Sequence, residues 1–256
     1  IPNAIGDIAI FRNDISANRT VTLDAPITLG GLQVGDALGA SIFTFAGSAI
    51  NTLTLDNGAS NAFVSKFGSA TDVWQAPLIL NSNVDWNIYT GTLDVTGVSN
   101  AQVSYSGSGN TIKNGAGALR LNIDAATNPY TGNWIVNFGT LNIGGANSAT
   151  PTSLGTGTGG IVLNGNGRAD LANFVLNNNG TASDSIVTYS GNNDVILNGA
   201  ARLVSDRNYI GGANDRVTKV LDTLTMNGGI LSVTSGSGHR IRFDGQTSLI
   251  GDFNVI

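Results

Sequence analysis

His239 is the only histidine in the chain and therefore its one imidazole general base. It starts the strand-like run HRIRFDG, in which alternation places it on the same face as Ile241 and Phe243. A general base needs an orienting partner and a proton within hydrogen-bond reach, and the neighbouring sequence supplies neither. The pattern favours a capped or partly buried structural histidine over a catalytic one.

Carboxylates are the second group that could do chemistry. All 17 acidic residues are aspartates, scattered along the chain. Glycoside cleavage needs two carboxyl groups about 5–10 Å apart, one of them with a raised pKa, and aspartates on different strands could meet in this way. Solvation and turn-capping explain scattered aspartates more simply. We therefore expect no enzyme, and a β-helical polysaccharide lyase or hydrolase is the least favoured alternative.

Oxygen-rich stretches raise the question of calcium. GNGRADLANF at 165–174 is close to the glycine-rich nonapeptide that binds calcium in β-helices, but its spacing is off by one and it does not repeat in tandem. SGNND at 190–194 and GGAND at 211–215 also offer oxygen donors. Asx-turns explain all three without a metal. We predict no cofactor and leave calcium open.

Tryptophans could bind sugars by stacking. Trp86 and Trp134 each share a strand face with aliphatic neighbours, which predicts core positions. Trp74, in TDVWQAP, is less constrained and is the one tryptophan that we expect could be exposed.

The composition limits the elements that could position these residues. The 256 residues include 35 Gly, no Cys and no Glu, and 11% are charged, against about 25% in average proteins. The net charge of −5 argues against nucleic acid as a partner, because its binders carry a basic face. No apolar run reaches about 18 residues, so no transmembrane helix is predicted. The chain starts at Ile1 and stops within a strand-like run, so we expect a processed chain or an excerpt of a longer one.

Strand-like runs of four to eight residues fill the chain, separated by Gly, Asn, Asp and Ser. Asn-Gly turns recur, for example at 57–58, 114–115 and 198–199, and such dipeptides accept positive φ at low cost. The loosely repeated pattern predicts one all-β domain over 1–256, a right-handed parallel β-helix of roughly ten to twelve turns at 20–25 residues per turn, with Asn ladders at its corners. A β-sandwich is the alternative fold.

Residues 113–171 carry a more specific pattern. They resemble the autotransporter-associated β-strand repeat, in which K-x-G-x-G-x-L-x-L is followed by Y-T-G, G-x-L-x-(L/I)-G and L-G. The turn positions that match are Gly115, Gly117, Tyr130, Thr131, Gly132, Gly139, Gly144 and Gly155, and the core positions are Leu119, Leu121, Leu141 and Ile143. Asn133 and Trp134 depart from the small residues usual after Y-T-G. The resemblance implies a β-helix in a secreted or surface-displayed bacterial protein and implies no activity.

Both terminal runs are apolar and strand-like, without an amphipathic helix that could cap a solenoid. We therefore expect self-association edges at Ile8, Ile10, Leu249, Phe253 and Ile256. They would pair with a second copy, making a homopolymer, or with more solenoid of the same polypeptide. The hypothesis is a structural module of an extracellular bacterial surface assembly, such as a filament, stalk or passenger rod. The alternative is a glycan-binding adhesin or a receptor-binding β-helix of the phage tail-spike type.

Overall fold

A computed structural model gives the fold of residues 1–36, 38–39, 41–97, 102–123, 128–144, 153–165, 172–177, 182–191, 193–206 and 216–255. The described residues contain strands, turns and bends and no helix. Every strand pairing among them is parallel. The fold is a parallel β-helix, as predicted, and the β-sandwich is set aside because a sandwich is built from antiparallel sheets.

Three faces form the solenoid. The first stacks ten described strands: β1 (Ile8–Phe11), β4 (Gly31–Val34), β7 (Ala62–Lys66), β10 (Val84–Ile88), β13 (Thr111–Asn114), β15 (Trp134–Val136), β17 (Gly160–Leu163), β20 (Asp194–Leu197) and the first halves of β23 (Leu224–Ser235) and β25 (Thr247–Val255).

The second face follows the first around each turn. It stacks β2 (Arg19–Leu23), β5 (Phe43–Gly47), β8 (Thr71–Trp74), β11 (Thr92–Val95), β14 (Ala118–Asn122), β16 (Gly139–Gly144), β18 (Ala172–Asn177), β21 (Ala201–Asp206) and the second halves of β23 and β25.

The third face is shorter. It contains β3 (Ile27–Leu29), β6 (Leu53–Leu55), β9 (Leu78–Leu80) and β12 (Tyr105–Gly107), and later β19 (Ile186–Thr188), β22 (Thr218–Leu221) and β24 (Arg240–Phe243). A single bridge from Gly107 to Tyr130 continues it by one turn.

Ten described strands stack on the first face and ten on the second, at the lower end of the predicted ten to twelve turns. Residues paired on successive turns lie 21 to 34 positions apart, as in Asp72 with Leu93 and Ile161 with Val195. The strands keep nearly constant length, so the extra residues lie in the corners between them.

Inward columns of apolar side chains make the core. Val136, Leu163, Leu197 and Met226 follow one another in register on the first face, and each is fully buried. On the second face Leu119, Leu141 and Phe174 do the same. Stacking like on like lets each turn bury the apolar surface of the next, which is how a solenoid is stabilised.

An amide ladder runs along the corner that follows the first face, as the Asn-Gly turns predict. Each side-chain amide nitrogen donates to the Oδ1 of the previous turn at 2.8–2.9 Å, through Asn114, Asn137, Asn164, Asn198 and Asn227. The corner therefore satisfies its own polar groups, since every inner member both donates and accepts.

The residues of the repeat pattern fall at defined places in two successive turns. Gly115 and Gly117 form the corner before β14, which carries the buried Leu119 and Leu121, while Tyr130 to Gly132 lie on the third face. Gly139 and Gly144 bound β16, which carries the buried Leu141 and Ile143, and Gly155 has a φ of 96° on the next turn.

Candidate functional site: the two ends of the solenoid

β1 forms an open edge of the first face, because within the described residues it pairs with β4 alone. Asp7 O accepts from Gly31 N at 3.0 Å, and Phe11 O accepts from Gly35 N at 3.0 Å. Polar groups alternate in direction along a strand, so the backbone groups of Ile8 and Ile10 point away from β4. This edge is able to pair with another parallel strand.

The side chains of β1 alternate between the core and the outer surface. Ala9 and Phe11 point inward, whereas Ile8 and Ile10, at 47% and 63% exposed, lie on the outer surface. Ile8 and Ile10 thus offer backbone hydrogen bonds to a partner strand, and the inward alternates offer the apolar contact.

The first seven residues run beside the third face of the first turn. Asn3 Oδ1 accepts from Thr28 N at 2.7 Å, and Asn3 N donates to Asp7 Oδ2 at 3.0 Å. A side chain therefore satisfies part of the β3 edge, while the edges of β1 and β2 have no such cover among the described residues.

An apolar cavity of about 260 Å³ lies inside this end of the solenoid. Its walls include Phe11, Val21, Leu23, Ile27, Leu29 and Phe45. The Phe11 and Phe45 rings meet edge to face at 5.2 Å between centroids, and Phe45 stacks on Trp74 at 5.1 Å. The cavity is the last level of the core at this end, and Ile1 and Pro2 of the N-terminal segment also line it.

The C-terminal end of the solenoid also has an open strand edge and partly exposed apolar side chains. β25 pairs with β23 alone among the described strands. Leu249 follows Met226 in the inward column, but Leu249 is 45% exposed where Met226 is fully buried. Ile241 and Phe243 of β24 are also only partly buried. Phe253 belongs to β25, but its side chain and all of Ile256 lie outside the described residues.

Three buried lysines, the only lysines in the chain, were not foreseen as core residues. Lys66, Lys113 and Lys219 are each 0% exposed. Lys113 Nζ donates to Asn114 O, Gly115 O and Phe138 O at 2.7–3.1 Å, so it joins two turns at one corner. Lys219 Nζ donates to Leu176 O and Asp206 O. For Lys66 and Lys113 the available sequence signal is K-x-G, in which the ammonium turns back onto the carbonyls of the corner. Lys219 is followed by Val220 and Leu221 and has no such signal.

Lys66 differs from the other two because it faces a carboxylate. Its Nζ donates to Phe67 O and Gly68 O and lies 3.2 Å from Asp72 Oδ2, with both side chains fully buried. Burial raises the pKa of Asp72, while the Phe43 N–H and Lys66 lower it. Burial also lowers the pKa of Lys113 and of Lys219 to about 7.

The structure places the histidine considered as a general base in the interior. His239 is 1% exposed and its backbone N donates to Gly236 O at 2.9 Å. No group of three or more His, Cys or Asp side chains that could hold a metal occurs among the described residues. Of the three stretches considered for calcium, most of 165–174 and all of 211–215 lie outside the described residues.

The expectation that Trp74 could be exposed is wrong. Trp74 is 4% exposed and its indole N–H donates to Ala76 O at 2.7 Å. Trp86 and Trp134 are buried, as predicted. The aromatic surface lies elsewhere: the Arg12 guanidinium is 3.7 Å from the Phe67 ring centre, and Phe67 stacks on Tyr89, which is 48% exposed.

The chain matches no protein-family model, and searches of curated proteins and of solved structures give no match. The resemblance of residues 113–171 to the autotransporter-associated repeat therefore stays a prediction. None of the described elements is a helix long and apolar enough to cross a membrane.

Proposed function

We propose that this chain is a non-enzymatic structural module of an extracellular bacterial surface assembly, built by joining solenoid ends. The observation that carries the proposal is that both end strands of the described solenoid, β1 and β25, have one unpaired edge beside uncovered inward apolar side chains. The two ends present different strands, so joining them is head to tail, and a head-to-tail contact that does not close produces a fibre.

The apolar contact favours end-to-end joining over lateral contact. The N-terminal end offers the cavity beside Phe11 and Val21. The C-terminal end offers Leu249, which is the last side chain of an inward column and is half-exposed because no further strand covers it among the described residues. Stacking further solenoid on either end would bury these groups and pair the open backbone edges together. The added solenoid is a second copy in a filament, or more of the same polypeptide in a stalk or passenger rod.

A passive role is supported by how the buried charges are used. Lys66, Lys113 and Lys219 each bind carbonyl groups of the fold itself, and their nitrogens lie at corners rather than in a cleft. An extracellular place is supported by the resemblance of residues 113–171 to the autotransporter-associated repeat.

Electron microscopy and light scattering on the 256-residue chain, over a range of concentrations, test the copy-to-copy form. We expect filaments with an axial repeat of about 48 Å, which is ten stacked strands at the usual spacing. Monodisperse short rods at all concentrations would overturn polymerisation between copies. A longer polypeptide whose preceding or following turns continue the same strand columns would then support the same-chain form.

A glycan-binding role is the second candidate, because one exposed aromatic group favours it. Tyr89 is 48% exposed and stacks on Phe67, whose ring also contacts the Arg12 guanidinium, and an exposed aromatic ring with a polar hydroxyl suits a sugar ring. Binding on a glycan array that Tyr89→Ala abolishes would support this role. No binding by the wild-type protein would dismiss it.

A further inference from the structure

Lys66 and Asp72 form a buried reactive pair six residues apart. Lys66 is the last residue of β7, and its Nζ points into the corner. The Asp72 carboxyl points inward from β8, so Nζ and Oδ2 lie 3.2 Å apart. Both side chains are 0% exposed. An amine and a carboxyl group held at this distance in a fixed geometry have a high effective concentration for reaction with each other.

Apolar side chains surround the pair on the neighbouring turns. Lys66 lies in register between Val34 and Ile88, and Asp72 is followed by Leu93, all of them at most 2% exposed. A dry environment disfavours the charged form of a carboxyl group. Accordingly burial raises the pKa of Asp72, and the nearby charge of Asp36 adds to that effect.

A backbone donor is placed on the carboxyl group. Phe43 N–H donates to Asp72 Oδ1 at 2.7 Å, while Oδ2 faces the amine. A fixed N–H donor on the oxygen that gains negative charge in a tetrahedral intermediate is the arrangement that stabilises acyl transfer.

We propose that Lys66 and Asp72 join in an intramolecular amide bond in the folded protein. One proton passes from the ammonium to the carboxylate, and the neutral nitrogen attacks Cγ of Asp72. A C–N bond forms and a C–O bond breaks. The departing oxygen leaves as water, carrying two protons that both come from the original ammonium group. No oxidant, reductant or second substrate is required.

The chain contains its own comparison. Lys113 lies one residue before the end of β13 and donates to carbonyls of its corner as Lys66 does, but the residue six positions later is Leu119, which lies in the same inward column as Asp72. Lys113 therefore has no carboxyl group at that position and stays unmodified. The bond at Lys66 ties β7 to β8 within the third turn.

Mass spectrometry of the intact wild-type protein tests the bond. We expect a mass lower than that of the sequence by one water molecule, and a peptide in which residues 66 and 72 are joined. After denaturation trypsin should fail to cleave after Lys66 while still cleaving after Lys113. The unmodified sequence mass in folded protein, checked by circular dichroism and after prolonged incubation, would overturn the proposal.

Three variants test whether Lys66 and Asp72 are the residues that lose the water molecule. Lys66→Arg keeps the positive charge, and Asp72→Ala removes the electrophile; both should have the full sequence mass. Lys113→Arg should keep the loss. A loss that persists in Lys66→Arg would overturn the proposal by assigning the water to another site, such as cyclisation at Asp244–Gly245. The direct peptide map of the wild-type protein gives the answer even if a variant does not fold.

Discussion

At the scale of single residues, the corner of the first face is held by side-chain amides that act as a chain. Asn137 donates to Asn114 at 2.9 Å and accepts from Asn164 at 2.8 Å. Neighbours on both sides fix the amide orientation, because each oxygen must meet a nitrogen. A change that reverses one donor therefore disturbs two contacts.

We predict that Asn137→Asp destabilises the protein by about 1–3 kcal/mol, since a carboxylate oxygen would face Asn114 Oδ1 and leave a half-buried acceptor without its donor. Asn227 is the matched control: it is the exposed last member of the described ladder, with one ladder bond to Asn198. Asn227→Asp should cost less than half as much. Chemical denaturation measures both, and equal losses would contradict a cooperative ladder.

The buried lysines and tyrosines make stability depend on pH. Burial lowers the pKa of Lys113 and Lys219 to about 7, against about 10.4 for a free lysine. Between these values the unfolded chain binds more protons, so stability rises with pH. Burial raises the pKa of Tyr105, Tyr130 and Tyr189, so stability falls once the unfolded tyrosines ionise above about pH 10.

We therefore predict that the free energy of unfolding is larger at about pH 9.5 than at about pH 7.5. Lys113→Met should lose part of that increase and the double variant with Lys219→Met should lose it all, although both are less stable overall because their carbonyl partners lack a donor. Urea denaturation at the two pH values measures the slope. A wild-type free energy that is flat or falling over this range would refute the assignment.

At the scale of elements, strand alternation and turn composition were sufficient to predict a parallel solenoid with Asn corners. They failed where a charged residue occupies an inward position. Asp72 and Trp74 both point inward on β8, so the aspartate breaks the apolar alternation that would have marked Trp74 as core. Lys66 and Lys113 were missed for the same reason, since charged side chains are rarely fully buried unless paired. Some turns exceed the predicted 20–25 residues, as between Ile161 and Val195, because corners of variable length leave no periodic signal.

Corners that use glycine do so for two separable reasons, backbone conformation and space. Gly139 and Gly228 have φ values of 75° and 79°. A Cβ on Gly139 would lie 2.2 Å from Gly115 O, whereas the nearest atom to one on Gly228 is Asp252 O at 3.4 Å. The two positions share the conformation and differ in the space beside it.

We predict that Gly228→Ala costs about 1–2 kcal/mol, the penalty for a left-handed conformation with a side chain. Gly139→Ala should cost about 1–3 kcal/mol more, because the corner of the previous turn must also move. Thermal and urea unfolding of the two variants give the difference. Similar losses would mean that adjacent turns do not pack as closely as the structure describes.

At the scale of the whole molecule, the repeated unit that makes the interior stable also leaves two ends that are incomplete. Each inner turn covers the apolar side chains of the next, and the first and last described turns have cover on one side only. The sequence was enough to predict apolar edges. It could not predict which side chains face inward at them, because a single-residue change in register exchanges the two faces of a strand. At β1 the structure places Ala9 and Phe11 inward and Ile8 and Ile10 outward.

End pairing can be separated from folding with a charge placed at the end of the core. Leu249 is half-exposed above the buried Met226, so in Leu249→Lys the long side chain can reach water in an isolated solenoid. It cannot do so when another solenoid covers the end, because the ammonium would then be buried without a partner. We predict that Leu249→Lys folds with nearly unchanged unfolding free energy but fails to form filaments under conditions in which the wild-type protein does. Leu38→Lys is the control, since Leu38 is 80% exposed and lies outside every strand, and it should assemble normally. Sedimentation and electron microscopy measure assembly, and filaments of Leu249→Lys that match the wild type would show that this end of the core takes no part in the contact.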